Sequence, residues 1–294
     1  MKVYISVDME GIAGISHPAP TDRRDPEYPA AVALMVGEAN AAIDGAFRGG
    51  ASEVVVNDSH GGMHNLTAID LDPRARLIQG QKAWSMVAGA GPDRGFGVAL
   101  LVGYHARAGD PSGTIAHTYS GRPVATSLNG RPVGESGINA IALGAWGVPV
   151  GLVCGDDRVA GETAAWFPWA ERVVVKEGLG RNAADSVHPT VARQAIRAGA
   201  ELAVRRAIAG EMQPLVLEPP YVIEVIYHNA AQADFAAVVP GAERVGDTTV
   251  RFCLGRSGAG LPRVPGRAPA GRDRGLNQAD PGCPAARARR PRAY

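Results

Sequence analysis

Apolar residues arrive in two rhythms along this chain. Short unbroken runs end abruptly in polar residues: 2–7 into "DME", 52–60 as "SEVVVNDSH", 97–105 as "GVALLVGYH" and 148–157 as "VPVGLVCGDD". Such runs read as strands buried on both faces. Between them lie stretches with helical spacing. Over 28–48, Ala31, Leu34, Met35, Glu38, Ile43 and Phe47 recur near a helical period, and Gly49-Gly50 ends the pattern. "INAIALGAWG" reads as a second helix and 189–209 as a third, with Val191, Ala195, Ala198, Leu202 and Ile208 close to one face. Asn129-Gly130 inside "VATSLNGRPVGE" predicts a hairpin with a type I′ turn. The strings "YVIEVIY", "QADFAAVV" and "TTVRFCL" follow as strand, helix and strand.

Strand alternating with helix predicts an α/β fold: a mostly parallel sheet flanked by helices. The expected organisation is a catalytic α/β domain over 1–187, a smaller C-terminal α+β unit over 188–254, and a tail over 255–294. The tail has nine arginines, two acids and six prolines, without apolar periodicity. It reads as a disordered basic segment.

Charge changes this picture little. The formal net charge of the 294-residue chain is +1, and the tail's excess of arginine leaves residues 1–254 acidic. An acidic body argues against nucleic acid as the main partner. Three scattered cysteines, Cys154, Cys253 and Cys283, form no disulfide or CxxC pattern, which points to a reducing compartment. No signal-peptide pattern opens the chain and no apolar run reads as a membrane span. The expectation is a cytoplasmic protein with no membrane partner.

Four strand ends carry polar groups: Asp8 and Glu10, Asp58 and His60, His105, and Asp156 with Asp157. In open parallel sheets, ligands bind beyond the carboxyl ends of the strands. Asp8 and Glu10, two residues apart in extended chain, share a face. Two carboxylates at a buried strand end repel and lose hydration, so a cation is needed beside them. A metal ion or a basic side chain can meet that need. The only base near in sequence, Lys2, lies at the wrong end of the strand, which favours metal. His60, His105 and Glu135, in "RPVGESG", then become further ligands. Two histidines and three carboxylates suit two zinc ions sharing a carboxylate, and such a site also accepts Mn or Co. Asn57, Asp58, Ser59, Asp156 and Asp157 are candidates to orient the ligands. His117, in "TIAHTYS", can act as acid, base or oxyanion donor.

Each residue taken alone has a plainer reading. Asp8 and Glu10 fit a helix cap or solvated turn, His60 a turn residue, Glu135 a helix-start acid, and Asp156-Asp157 caps for a following helix. His64 is close enough to His60 to compete as a ligand.

The stretches "YISVDMEGIAGI", "VVVNDSHGGMHNL", "LVGYHARA", "IAHTYS", "NGRPVGESGINA", "CGDDR" and "AQADFAAVVPGAERVGDTTVRF" occur in one consistent order from residue 1 to about 253. Together they resemble the zinc-dependent D-aminopeptidases of the DppA type, first associated with bacterial dipeptide-transport operons. The resemblance implies two zinc ions held by Asp8, Glu10, His60, His105 and Glu135, with Asp8 bridging. It implies His117 as the active-site residue, which family accounts call a nucleophile. Chemical reasoning favours instead a hydroxide between the metals, with His117 assisting. It also implies release of the N-terminal D-residue from short peptides such as D-Ala-D-Ala, action on β-amino-acid peptides in some relatives, and a homo-oligomer, a ring-shaped decamer. A metal-dependent phosphoesterase and a non-catalytic peptide binder are the competing readings. The chain departs from the family at its end, where the Arg/Pro/Gly tail stands in place of a C-terminal amphipathic helix. A change of reading frame in the gene would produce this composition, a hypothesis that an intact-mass measurement tests.

Overall fold

The computed structural model describes residues 1–83 and 85–254. The predicted tail, 255–294, lies outside the described residues. The mixed α/β architecture is the expected one. A first sheet of seven strands contains β1 (Lys2–Val7), β2 (Glu53–Asp58), β3 (Arg76–Ile78), β4 (Val98–Tyr104), β7 (Val150–Asp156), β8 (Glu171–Gly180) and β9 (Ala183–Ser186). Their spatial order is β3-β2-β1-β4-β7-β8-β9. Every pair is parallel except β8–β9. A second, antiparallel sheet runs β11 (Ala242–Arg244), β12 (Thr249–Leu254), β10 (Tyr221–Tyr227), β5 (Pro123–Leu128) and β6 (Arg131–Pro132).

Alternation along β1 separates two cores. Val3, Ile5 and Val7 enter the layer beneath helices α1 (Tyr28–Arg48) and α4 (Pro189–Ile208). Tyr4 enters the opposite layer, with α2 (Glu135–Ala145) and α3 (Asp157–Trp166). Helix α1 is long and apolar enough to cross a membrane by length and composition, which the sequence reading did not allow for. Here it is a core helix, with eleven residues buried beside the sheet and α4. Gly49 and Gly50 end it as expected, Gly50 in the left-handed region at φ 104°.

Helix α4 has the expected span but a different inner face. Ala192, Ile196, Ala200, Ala203 and Val204 are buried, while Val191, Leu202 and Ile208 are about half exposed. The cause is the close approach of α1. A Cβ on Gly45 would lie 2.2 Å from the Arg197 carbonyl oxygen, and one on Gly49 2.7 Å from that of Glu201. Ala200 and Val204 lie against these two glycines, and Val191, Leu202 and Ile208 turn outward.

The two sheets do not divide the chain at residue 187. Helix α4 packs on α1 and on β7 and β8, and the hairpin β5–β6 joins the sheet of β10–β12. Asn129 and Gly130 both have positive φ, as the type I′ turn requires. The sequence reading left β3, β8 and β9 unassigned. β3 has three residues, and the apolar run of β8 is broken by Lys176 and Glu177.

Candidate active site

Strands β1, β2 and β4 stop at the same end of the sheet, and the residues after them converge. β1 lies between β2 and β4, so successive connections depart to opposite sides of it. That is the switch point at which parallel sheets open a crevice. Asp8 and Glu10 follow β1, Ser59 and His60 follow β2, and His105 follows β4. The second sheet supplies the rest: hairpin β5–β6 leads directly into Glu135 at the first turn of α2. His117 comes from the loop between β4 and β5.

The close spacing at the crevice depends on glycine. Gly103 has φ 72°, and a Cβ on it would stand 2.2 Å from the Asp8 carbonyl oxygen. The loop around His117 is itself constrained, because Ile115 and Tyr119 both hold left-handed φ, at 52° and 58°. For a β-branched residue such as Ile115 that conformation costs about 1–3 kcal/mol.

Each of the six expected side chains lies within ion-pair distance of at least one other. His60 Nδ1 is 2.9 Å from Glu10 Oε2 and 3.3 Å from Asp8 Oδ1. His105 Nε2 is 3.5 Å from Glu135 Oε1 and 3.7 Å from Asp8 Oδ2. His117 Nε2 is 3.7 Å from Glu135 Oε1 and 4.0 Å from Glu10 Oε1. Asp8, Glu10, His60, His105 and Glu135 are buried, and the His117 side chain is 18% exposed.

Each histidine has one ring nitrogen committed to the main chain. His60 Nε2 donates to Thr21 O at 3.0 Å, His105 Nδ1 to Ala106 O and His117 Nδ1 to Ile115 O, both at 2.8 Å. In the neutral imidazole the opposite nitrogen, which faces the carboxylates, then carries a lone pair. His105 Nε2 is buried without a hydrogen-bond partner among the described residues. A set of imidazole nitrogens and carboxylate oxygens, one nitrogen left unsatisfied at its centre, fits zinc. By distance His117 groups with His105 and Glu135, and His105 with Asp8 and Glu10, as candidate metal-holding sets.

Without metal, the acids and imidazoles compensate one another. Burial, and then the Glu10 charge, pushes Asp8 up to about 7. Burial also opposes charge on Glu10 and Glu135, but His60 beside the first and His105 beside the second outweigh it and hold both low. Burial disfavours charged His60 and His105, yet their carboxylate neighbours raise both, His105 to about 10. His117 behaves differently: burial, and then the charge on His105, lowers it.

The expected supporting residues divide. Asp58 accepts hydrogen bonds from the main-chain N–H groups of Asn65 and Leu66, and Asn65 Nδ2 donates to His60 O at 2.7 Å, so Asp58 braces the His60 turn. Asp156 accepts from Ala106 N at 3.2 Å, next to His105, and caps α3 through Val159 N. Ser59 donates to Val7 O at 2.7 Å, tying β2 to β1. Asn57 instead donates to Met86 O within the core, and Asp157 accepts from Gly178 N on β8. Neither bonds a ligand: Asn57 alternates with Asp58 along β2, and Asp157 opens helix α3 and turns to β8. His64 is exposed, its Nδ1 against Gly62 O, and does not compete with His60.

Three contributors lack a motif in the sequence. The Tyr119 N–H donates to Glu135 Oε1 at 2.6 Å and fixes that carboxylate. Glu38 of α1 accepts from Ala13 N at 2.8 Å. Lys176 of β8 reaches the loop after Glu10. Beside the cluster, an open, mostly apolar cleft of about 880 Å³ begins at Thr118 and Tyr119 and is walled by Ile138, Ile223, Tyr227 and Phe235.

Known proteins are similar to this chain along most of its length. The D-aminopeptidase of Bacillus subtilis (strain 168) is 39% identical over 254 residues, covering 86% of this chain and 91% of its own. The solved structure of the Zn-dependent D-aminopeptidase DppA from Bacillus subtilis, described as a self-compartmentalizing protease, superposes with TM-score 0.79 at 37% identity. That match covers 86% of this chain and 91% of the other. Residues 1–256 match the peptidase M55 family, described as D-aminopeptidase, and with that span matched the chain belongs to this family.

Proposed function

We propose that this chain removes the N-terminal D-residue from short peptides at a two-zinc centre. The observation that carries the metal reading is the orientation of the three imidazoles. Each gives its outer N–H to a main-chain carbonyl and turns the other nitrogen toward Asp8, Glu10 and Glu135. The five buried residues Asp8, Glu10, His60, His105 and Glu135 would hold the ions, with Asp8, between His60 and His105, as the shared ligand. Bound zinc polarises a carbonyl and makes water a stronger acid.

The remaining work falls to the chain's own groups. His117 is uncharged near neutral pH, and its Nε2 lone pair faces the cluster from the more exposed side. It is placed to take a proton from attacking water and return it to the departing amine. The Ile115 carbonyl keeps the ring in the tautomer that this requires. Glu135, fixed by the Tyr119 N–H, holds its charge beside both His105 and His117. The apolar cleft beyond Tyr119 gives the rest of a short peptide a place to lie. The D-preference, D-Ala-D-Ala as a substrate, a homo-oligomeric and decameric assembly and a cytoplasmic location complete the proposal. Family membership supports the D-preference, and the self-compartmentalizing description of DppA supports a homo-oligomer; D-Ala-D-Ala, the decamer and the cytoplasmic location rest on the sequence reading alone.

The test is metal content together with hydrolysis of D-Ala and L-Ala p-nitroanilide, before and after chelation. Near two zinc per chain and D-selective, chelator-sensitive release is the expected result. Metal without cleavage of either substrate would overturn the peptide reading in favour of β-amino-acid peptides or phosphate esters.

A further inference from the structure

The loop at 10–15 joins no strand ladder and is not helical, yet it is almost wholly buried. Its main-chain groups therefore need partners from elsewhere. The N–H groups find them: Gly11 at Gly103 O, Ile12 at Met9 O, Ala13 at Glu38 Oε1, Gly14 at Ser186 Oγ and Ile15 at Ile12 O. Three of the carbonyls share one side-chain donor. Lys176 Nζ donates to Glu10 O at 2.5 Å, Ile12 O at 3.2 Å and Ile15 O at 2.5 Å. An ammonium has three donors, and all three go to this loop.

Lys176 is 1% exposed. Burying an ammonium costs several kcal/mol, which bonds to neutral carbonyls do not fully offset. An apolar side chain would pack there more cheaply, but it would leave Glu10 O and Ile15 O without the donor they have here, with Ile12 O keeping only the Ile15 N–H. Lys176 also stands opposite Ser186 in the β8–β9 pair. The hairpin thus grips the loop twice, by its carbonyls and by the Gly14 N–H.

We infer that Lys176 is a positioning residue for the metal centre: it holds the 10–15 loop, and through it Asp8 and Glu10, in ligating geometry. The inference rests on the two-zinc reading above. Removing a group that orients a metal ligand typically weakens the metal about 10–100-fold, and Lys176 acts on the carbonyl of a ligand residue itself.

The experiment compares the full chain with Lys176→Met, Lys176→Gln and Cys154→Ala. Cys154 is buried in the same apolar core, its Sγ 4.0 Å from Glu38 Oε2, and it makes no hydrogen bond to any of the three carbonyls among the described residues. Hydrogen exchange is read on the metal-free proteins, and zinc affinity by chelator competition. Lys176→Met should exchange faster over 9–16 while 98–104 and 150–156 match wild type, and should bind zinc at least about tenfold more weakly. Lys176→Gln, which keeps two donors on a shorter stem, should fall between. Cys154→Ala should lower the melting temperature with loop exchange and zinc affinity unchanged. Wild-type exchange and affinity in Lys176→Met, or equal losses in Cys154→Ala, would overturn the inference. So would failure of both Lys176 variants to fold, which would make the residue a general requirement of the fold. If wild type itself took up no zinc, the metal reading would fail, and the exchange data would still decide whether Lys176 holds the loop.

Discussion

His105 and His117 stack with ring centroids 4.1 Å apart and planes 11° from parallel, and both turn Nε2 toward Glu135 Oε1. Their surroundings separate their roles. His105 is buried between two carboxylates that raise its affinity for a cation. His117, partly exposed, is kept uncharged by burial and by the charge on His105. His117→Ala should therefore keep its zinc and lose about 10²–10⁴-fold in kcat, whereas His105→Ala should lose zinc as well. Since the His117 pKa lies below 6.5, the base is available at neutral pH and is lost as pH falls. With zinc kept saturating, the acid limb of kcat/KM should sit below pH 6.5 in wild type and vanish in His117→Ala. A His117→Ala variant that loses zinc in parallel would make this residue a ligand.

Asp8 carries a proton below about pH 7 in the metal-free protein, because burial and the Glu10 charge disfavour its carboxylate. Zinc must displace that proton and those that the carboxylates hold on His60 and His105, so binding should release protons and weaken as pH falls, most steeply below about 7 where Asp8 is protonated too. Calorimetry in two buffers of different ionisation enthalpy measures the release. Chelation should also lower the melting temperature, since zinc at ~1,000 times its dissociation constant contributes about 4 kcal/mol. An unchanged melting temperature after complete zinc removal would contradict a buried site.

Much of the crevice was legible because its ligands end strands. Asp8, His60 and His105 each follow a run of apolar residues, so a period read in one dimension already placed them at one edge. Glu135 was legible as a helix start following a hairpin whose turn is written in Asn129-Gly130. The inner face of α4 was not legible. Leu202 and Val191 outrank Ala200 and Ala203 in hydrophobicity, and only the close approach of the α1 glycines puts the face with Ala200 and Val204 inside. Lys176 was hidden for a similar reason. A lysine in a strand reads as solvated, and the carbonyls that call for it lie more than 160 positions away.

Gly103 sets the distance between β4 and the Asp8 turn. Gly103→Ala would place its Cβ 2.2 Å from Asp8 O, in a conformation with φ 72° that L side chains rarely adopt. The left-handed backbone alone costs about 1–2 kcal/mol, and the clash adds to it by displacing the Asp8 backbone. The variant should unfold at lower urea concentration than wild type and bind zinc more weakly even where folded. Gly61→Ala serves as control: it too has positive φ, at 51°, but nothing lies within 4 Å of a Cβ there, so it should be destabilised without the added clash.

Glu38 makes the stability of the fold depend on pH. Burial raises its carboxyl from 4.5 to about 7, against the weaker pull of the Ala13 N–H and of Lys176 and Arg193. With the folded pKa above the unfolded one, the folded state binds the extra proton between pH 4.5 and 7. Its contribution is therefore complete below pH 4.5 and is lost as pH rises through about 7, a change of about 3 kcal/mol at most. Glu38→Gln keeps an oxygen for the Ala13 N–H but never ionises. Urea midpoints of the metal-free proteins should nearly coincide at pH 4.5. At pH 8 Glu38→Gln should be the more stable by up to about 3 kcal/mol. Parallel midpoints for the two proteins across this range would show that Glu38 ionises in the folded state as readily as in the unfolded one.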